Sequence, residues 1–285
     1  MANLLKGKAV ADAITLSNIE KVNTLKEKGI TPTLAIFRVG ENESDLSYER
    51  GALKRCESTG VNVKQFVFDL EVDEETFYRS LDEANNDNNI HGILVFRPLP
   101  KRFDDNKLRN FINPLKDVDG CSDASLGSLF IGTDLGYAPC TARAVMEILD
   151  HYKIDVNSKN VCVVGRSLVI GKPVSMLLLN RNATVDICHS RTKNLYKHTK
   201  KADVVIAAAG QMEMLNKEYF KKGQTVIDVG IHFNEEKGKL TGDVLFEDAE
   251  PVAKNITPVP GGVGSVTTSV LVKHVISAAE KSADR

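Results

Sequence analysis

Runs of consecutive apolar, largely β-branched residues alternate along this chain with stretches rich in helix formers. In the first half, Thr33–Val39 (TLAIFRV), Val63–Phe68 (VKQFVF) and His91–Phe96 (HGILVF) predict strands, and Ser44–Ser58 and Asp73–Asn85 predict helices between them. In the second half, Val161–Gly165, Ala183–Cys188, Asp203–Gly210 and Thr225–Gly230 predict strands, with helices over Lys172–Asn182, Asn216–Lys221 and Ser265–Ser282. Strands apolar at nearly every residue are buried on both faces, and helices between them imply parallel crossovers. The expectation is an α/β protein of two lobes divided near Ala142–Asn160. One lobe comprises residues 1–141 joined by the long final helix, 265–285, and the other comprises residues 142–264.

Composition narrows the function classes. The 285 residues are 42% hydrophobic and 26% charged, as in an ordinary globular protein, which excludes disordered and low-complexity classes. Lys plus Arg total 37 against 38 Asp plus Glu, a net charge of -1, so no basic excess exists to bind nucleic acid. No apolar run approaches the ~20 residues of a membrane span, and charges break up the N-terminal MANLLKGKAVADAI, so neither membrane insertion nor a signal peptide is expected. Five scattered cysteines without CxxC spacing argue against a disulfide framework or a zinc site and fit a reducing cytoplasm. The histidines also lack ligand spacing, so no metal is expected.

Two segments carry candidate nucleotide chemistry. After the strand ending at Gly165 comes GRSLVIGKP, then a helix. Glycines at the strand end and the helix start let backbone N–H groups approach a pyrophosphate, although a Gly-rich turn of this kind is as readily a tight turn. The next strand runs out into Cys188-His189-Ser190-Arg191 without the terminal carboxylate that pairs with an NAD ribose, while Asp186 lies two residues inside it. Arg166, Ser190 and Arg191 suit a 2′-phosphate, favouring NADP without excluding NAD; Arg191 reads equally well as a solvated loop cation.

Several segments together go further: Tyr48 after VGENESDLS, Pro98–Pro100, KDVDG (Lys116–Gly120), PCT (Pro139–Thr141), GRSLVIGKP, CHSRT, VIDVGI (Val226–Ile231), GDV (Gly242–Val244) and TPVPGGVG (Thr257–Gly264). In this order and spacing the chain closely resembles the methylenetetrahydrofolate dehydrogenase/cyclohydrolase family, usually bifunctional, over essentially its whole length. The resemblance implies a folate cleft between two α/β lobes, a C-terminal lobe built as a Rossmann-like doubly wound parallel sheet, and a homodimer. It implies oxidation of 5,10-methylenetetrahydrofolate to the methenyl form by a nicotinamide cofactor, followed by hydrolysis to 10-formyltetrahydrofolate. Carried over by position, Tyr48 orients the pterin and aminobenzoyl region and Asp119 hydrogen-bonds the pterin. Val95, Pro98, Leu99, Pro260, Gly261, Gly262 and Val263 line the substrate. Gly165, Arg166, Ser167, Gly171, Pro173, His189, Ser190, Arg191, Gly210 and Ile231 contact the dinucleotide.

The chain departs from the family pattern at two catalytic positions. Where the family reads Y-V-x-x-K-x-K, this helix reads Tyr48-Glu49-Arg50-Gly51-Ala52-Leu53-Lys54, so the key lysine is Ala52. Lys54 lies roughly 200° further round the helix and is expected to point elsewhere. Where the family reads V-Q-L-P-L-P, this chain reads Val95-Phe96-Arg97-Pro98-Leu99-Pro100, so the glutamine partner of that lysine is Phe96. Hydride transfer chiefly needs positioning, whereas opening the methenyl bridge needs proton transfer worth about 10²–10⁴-fold. An NADP-dependent dehydrogenase with weak or absent cyclohydrolase activity is therefore expected, against a fully bifunctional enzyme or a non-catalytic folate- or nucleotide-binding protein. Lys116 and Asp117 are expected to brace a turn, and Cys140 to be a buried small residue with no base beside it.

Overall fold

The computed structural model describes residues 2–133 and 135–283. In chain order its elements are β1 (Asn3–Leu4), α1 (Gly7–Glu27), β2 (Thr33–Val39), α2 (Glu43–Thr59), β3 (Asn62–Phe68), α3 (Glu74–Asn86), β4 (Gly92–Val95), α4 (Asp105–Phe111), α5 (Asp123–Ile131) and α6 (Cys140–His151). There follow β5 (Asn160–Val164), α7 (Gly171–Leu179), β6 (Thr184–Cys188), α8 (Leu195–Lys201), β7 (Val204–Ala207), β8 (Thr225–Asp228), β9 (His232–Asn234), β10 (Lys239–Thr241), α9 (Phe246–Ala249), β11 (Asn255–Ile256) and α10 (Thr267–Ala283). The chain separates into two compact units, Asp12–Cys140 with Thr268–Arg285, and Met1–Ala11 with Thr141–Thr267.

The first eleven residues, expected in the N-terminal lobe, thus belong to the second unit. The reason is backbone pairing: Asn3 and Leu4 lie parallel to Asn255 and Ile256 as the edge strand of its sheet. The expected divider, Ala142–Asn160, is largely helix α6. Its Ala144, Val145, Ile148 and Leu149 are completely buried at helical spacing. The helix expected at Asn216–Lys221 is one 3₁₀ turn, Lys217–Tyr219. Strand β7 stops at Ala207, short of the expected Gly210.

In the first unit the parallel sheet runs β3-β2-β4. Helix α2 is delimited by its sequence: Asn42 caps it by accepting the Ser44 N–H at 2.9 Å, Glu43 and Asp45 favour its positive end, and Gly60 ends it in the left-handed region. Phe37, Phe77, Leu81, Ile93 and Val95 form the core on one side of the sheet. In the second unit a six-stranded parallel sheet runs β1-β11-β8-β7-β5-β6. The chain winds outward from β5 to β6, then crosses back to β7 on the other side, making a doubly wound α/β sheet with its switch point between β5 and β7. Strands β7 and β8 are buried at every position, as double coverage requires.

One charge pair breaks the apolar rule. Arg38 on β2 and Glu49 on α2 are both buried, joined at 2.8 Å, with Gln65 donating to Glu49 at 2.6 Å and Arg38 donating to the Gly40 carbonyl. Removing one partner strands the other charge. Glu49→Val alone is expected to cost about 3–5 kcal/mol of stability, while Arg38→Leu with Glu49→Val recovers most of it. Denaturant unfolding of the two variants checks this, and equal loss in both would contradict it.

Candidate functional site

The first unit gathers several expected site residues at the end of β4. Tyr48, half-buried on the first turns of α2, meets Phe96 edge-on, with ring centroids 5.9 Å apart and planes at 83°. One turn further along α2, Ala52 is completely buried. Lys54 is exposed and does not take its place. The chain then passes through a cis Arg97–Pro98 peptide. Val95, expected to line the substrate, instead points into the core beside Phe37, because strand alternation sends it to the opposite face from Phe96. Leu99 likewise packs against that core, and Pro98 is exposed.

Asp119 is brought to the same region by the turn Lys116–Gly120. Burial raises its carboxyl to about 6, Asp117 adds to the rise, and Arg97 and the Cys140 thiol oppose it. Arg97 is held at 3.4 Å by Asp105, which is joined in turn to Arg109 at 3.1 Å. Asp117 is structural: wholly buried, it accepts the N–H groups of Cys121 and Ser122 and the Ser125 hydroxyl, at 3.0, 2.8 and 2.6 Å. Lys116 braces the turn by donating to the carbonyls of Ala84 and Asp87. Cys140 does have a base-type neighbour, His274 Nδ1 at 3.8 Å, which the 134-residue separation hid. That nitrogen donates to the Val118 carbonyl at 2.8 Å, and burial drives the Cys140 thiol well above its ordinary value, so the thiol is unreactive.

The second unit carries the rest on the segments that follow β5, β6, β7, β8 and β11. A side chain at Gly165 would collide with the Ala208 carbonyl, and one at Gly171 with the Gly165 carbonyl. The turn is therefore packed against β7's exit and against its own helix, leaving Arg166–Val169 exposed above the start of α7. Ser167 shapes it by accepting the Ile170 N–H at 3.2 Å, and Pro173 is buried within the helix's first turn. Strand β6 ends in a turn where Thr192 N–H donates to the His189 carbonyl at 2.8 Å and His189 Nδ1 accepts the Arg191 N–H at 3.1 Å. Arg166 in the turn after β5, and Ser190 and Arg191 in this one, are exposed, without side-chain hydrogen bonds to the described residues. Asp186 is engaged elsewhere, 3.3 Å from His198 on α8. Pro260, Gly261, Gly262 and Val263 line a cavity of about 150 Å³ together with Ile231 and Leu240.

A glycine-packed strand–helix turn, and exposed cations without partners after β5 and β6, are features that suit a nucleotide phosphate. Sequence reasoning missed the Arg38–Glu49 pair and the buried carboxylates Asp228 and Asp243. The first was signalled by an arginine inside an apolar strand, and the second by the motifs VIDVGI and GDV.

Comparison with known proteins agrees with this geometry. Residues 5–119 match the profile described as tetrahydrofolate dehydrogenase/cyclohydrolase, catalytic domain. Residues 139–283 match its counterpart, the NAD(P)-binding domain. The chain is 49% identical over 278 residues to the bifunctional protein FolD of Alkaliphilus oremlandii, covering 98% of this chain and 97% of that one. It is similar to the solved bifunctional FolD methylenetetrahydrofolate dehydrogenase/cyclohydrolase of Campylobacter jejuni, with a TM-score of 0.95 and 37% identity over 99% of both chains. It is also similar to the Trypanosoma brucei N5,N10-methylenetetrahydrofolate dehydrogenase-cyclohydrolase, solved with NADP and an inhibitor, with a TM-score of 0.93 and 34% identity, covering 100% of this chain and 99% of that one.

Because Asp119 holds its proton more tightly in the folded protein than in the unfolded chain, its contribution to stability is complete below pH 4 and lost as pH rises through about 6. Asp119→Asn removes that dependence. Between pH 4.5 and 7 the melting midpoint of the wild type should fall relative to the variant by roughly 2–4 °C, the change that about 1 kcal/mol makes in a protein of this size. Parallel midpoint curves for the two proteins would exclude a raised Asp119.

Proposed function

The chain belongs to the tetrahydrofolate dehydrogenase/cyclohydrolase family, and from that premise we propose that it oxidises 5,10-methylenetetrahydrofolate to the 5,10-methenyl form with NADP, hydrolysing the methenyl bridge weakly or not at all. The observation that carries this reading is the pairing of a kept nucleotide cradle and a kept Tyr48–Asp119 site with an apolar Ala52 and Phe96.

The dinucleotide, when bound, supplies a nicotinamide C4 that accepts the hydride. The chain's part in that step is placement. Tyr48 offers its ring to the pterin and aminobenzoyl region, braced edge-on by Phe96. Asp119, predominantly ionised at neutral pH, accepts hydrogen bonds from the pterin. The Gly165–Gly171 turn presents N–H groups to the pyrophosphate, and Arg166, Ser190 and Arg191 receive the 2′-phosphate. Pro260–Val263 and Ile231 shape the nicotinamide end. None of these roles requires a proton to move.

Hydrolysis does. Water must lose a proton as it adds to the methenyl carbon, and the ring nitrogen that leaves must regain one. An amine at position 52 could serve both steps; a methyl group cannot. Phe96 fits the same logic, since an amide there without the amine would be a polar group lacking its partner. The second reading is the fully bifunctional enzyme, with another group replacing the lysine, and the names of the relatives favour it: the similar proteins from Alkaliphilus oremlandii and Campylobacter jejuni are both called bifunctional. The resemblance also makes a homodimer part of the proposal, which light scattering tests directly.

Following methenyl absorbance as it forms and decays separates the readings. The expected result is methenyl formation with NADP in preference to NAD, then decay at the spontaneous rate. Enzyme-dependent decay establishes the bifunctional reading instead, and no methenyl signal with either cofactor despite folate binding indicates a non-catalytic protein. Ala52→Lys with Phe96→Gln should raise hydrolysis about 10²–10⁴-fold if those substitutions caused its loss. Arg191→Ala should raise the KM for NADP about tenfold and leave that for NAD unchanged.

A further inference from the structure

The carboxylates of the motifs VIDVGI and GDV take no part in the chemistry above, yet the structure folds the two motifs onto each other. Asp228, at the end of β8, is buried. Its Oδ1 accepts the N–H groups of Gly230 and Asp243, both at 3.0 Å, and its Oδ2 accepts the Val244 N–H at 2.9 Å. Asp243 is wholly buried. Its Oδ2 accepts the Gly210 N–H at 3.0 Å, and its Oδ1 accepts the Gln211 N–H at 3.0 Å and the His232 Nε2–H at 2.8 Å.

The glycines of the two motifs are reciprocal. A Cβ at Gly230 would strike the Asp243 carboxylate, and one at Gly242 would strike the Asp228 carboxylate. Each motif's glycine makes room for the other motif's acid. Thr257, which opens TPVPGGVG, is tied in as well, its hydroxyl accepting the Asp228 N–H at 2.7 Å.

We infer that Asp243, supported by Asp228 and His232, is a positioning residue for the dinucleotide. Its two oxygens fix the Gly210–Gln211 segment to the root of the β9 hairpin, which carries Ile231. The same segment leads on from Ala208, whose carbonyl packs against Gly165, and Ile231 packs against the Gly264 backbone so closely that a side chain there would meet it at 2.8 Å. Three pieces of the cradle are thus held in register by one carboxylate that touches no ligand. Two oxygens answering three donors leave no spare position for an amide nitrogen, so the charge and both acceptors are needed. The inference rests on the reading that Gly210 and Ile231 contact the dinucleotide.

The test uses three variants of the whole chain. His232→Leu removes one donor from a partly exposed side chain, His232→Gln restores a donor, and Asp243→Asn turns one acceptor into a donor facing an N–H. His232→Leu and Asp243→Asn should raise the KM for NADP about tenfold, with kcat within about twofold and the KM for methylenetetrahydrofolate unchanged; His232→Gln should stay within about twofold of the wild type. A melting midpoint that falls while both KM values stay put makes the carboxylate a fold support only and overturns the inference, as does His232→Gln behaving like His232→Leu. Calorimetric titration with NADP makes the same comparison without turnover. A wild type that binds NADP but forms no methenyl product therefore refutes the catalytic reading, while the variants' affinities still decide this one.

Discussion

A parallel strand that leaves a sheet takes with it backbone groups that no neighbouring strand can satisfy. In the six-stranded unit this problem arises at the C-terminal ends of β5, β7 and β8, with the change of winding direction between β5 and β7. The chain meets it in three ways. At β5 the backbone is packed so tightly against Ala208 that only glycine fits at position 165. At β7 the exiting N–H groups of Gly210 and Gln211 are given to a buried carboxylate. At β8 the strand's own terminal acid, Asp228, closes its exit and the approach of Asp243 and Val244. The helix start after β5 is bonded as well: the Lys172 N–H donates to the Ser167 carbonyl, the Val174 N–H donates to the Ile170 carbonyl, and Pro173 carries no donor.

The three-stranded unit shows a different economy of charge. Ions lie buried close to the apolar position 52 in the chain: Arg38 on β2 and Glu49, one turn before Ala52 on α2. Their charges are not equivalent to a catalytic lysine. Each is the other's counter-ion, with Gln65 donating a further hydrogen bond to Glu49 and the Gly40 carbonyl accepting one from Arg38, so both are committed within the fold. The pair can hold α2 against β2 and so present Tyr48, but it cannot shuttle a proton.

How much of this was legible in the sequence varies with the distance over which each feature is assembled. Strand β2 was read at its observed limits because seven residues carry their own pattern, and the helix over Ser44–Ser58 came within a residue at each end because Asn42 and Gly60 mark it locally. Strand β1 was invisible: two exposed residues become a strand only because Asn255 and Ile256 lie beside them. Helix α6 carries its own apolar period, Ala144, Val145, Ile148 and Leu149, within the segment expected to divide the lobes. Among site residues, the glycine turn and the missing carboxylate after β6 were readable from adjacent residues. The side-chain direction of Val95 needed the strand's register, and the neighbour of Cys140 lies on a helix 134 residues away.

The reciprocal glycines carry that lesson furthest. Read singly, Gly230 follows a strand and Gly242 precedes an acid, and each looks like an ordinary turn. Only together do they explain why two buried carboxylates can sit side by side. Burial lifts Asp228 to about 7, with the neighbouring Asp243 adding to the rise, and backbone N–H groups from three positions oppose it. Repulsion between the two acids is tolerated because backbone donors converge on them, and those donors lie on the segments that follow β7, β8 and β10. The electrostatic cost of the pair and the order of the loops are therefore one constraint, since relieving the first would release the second.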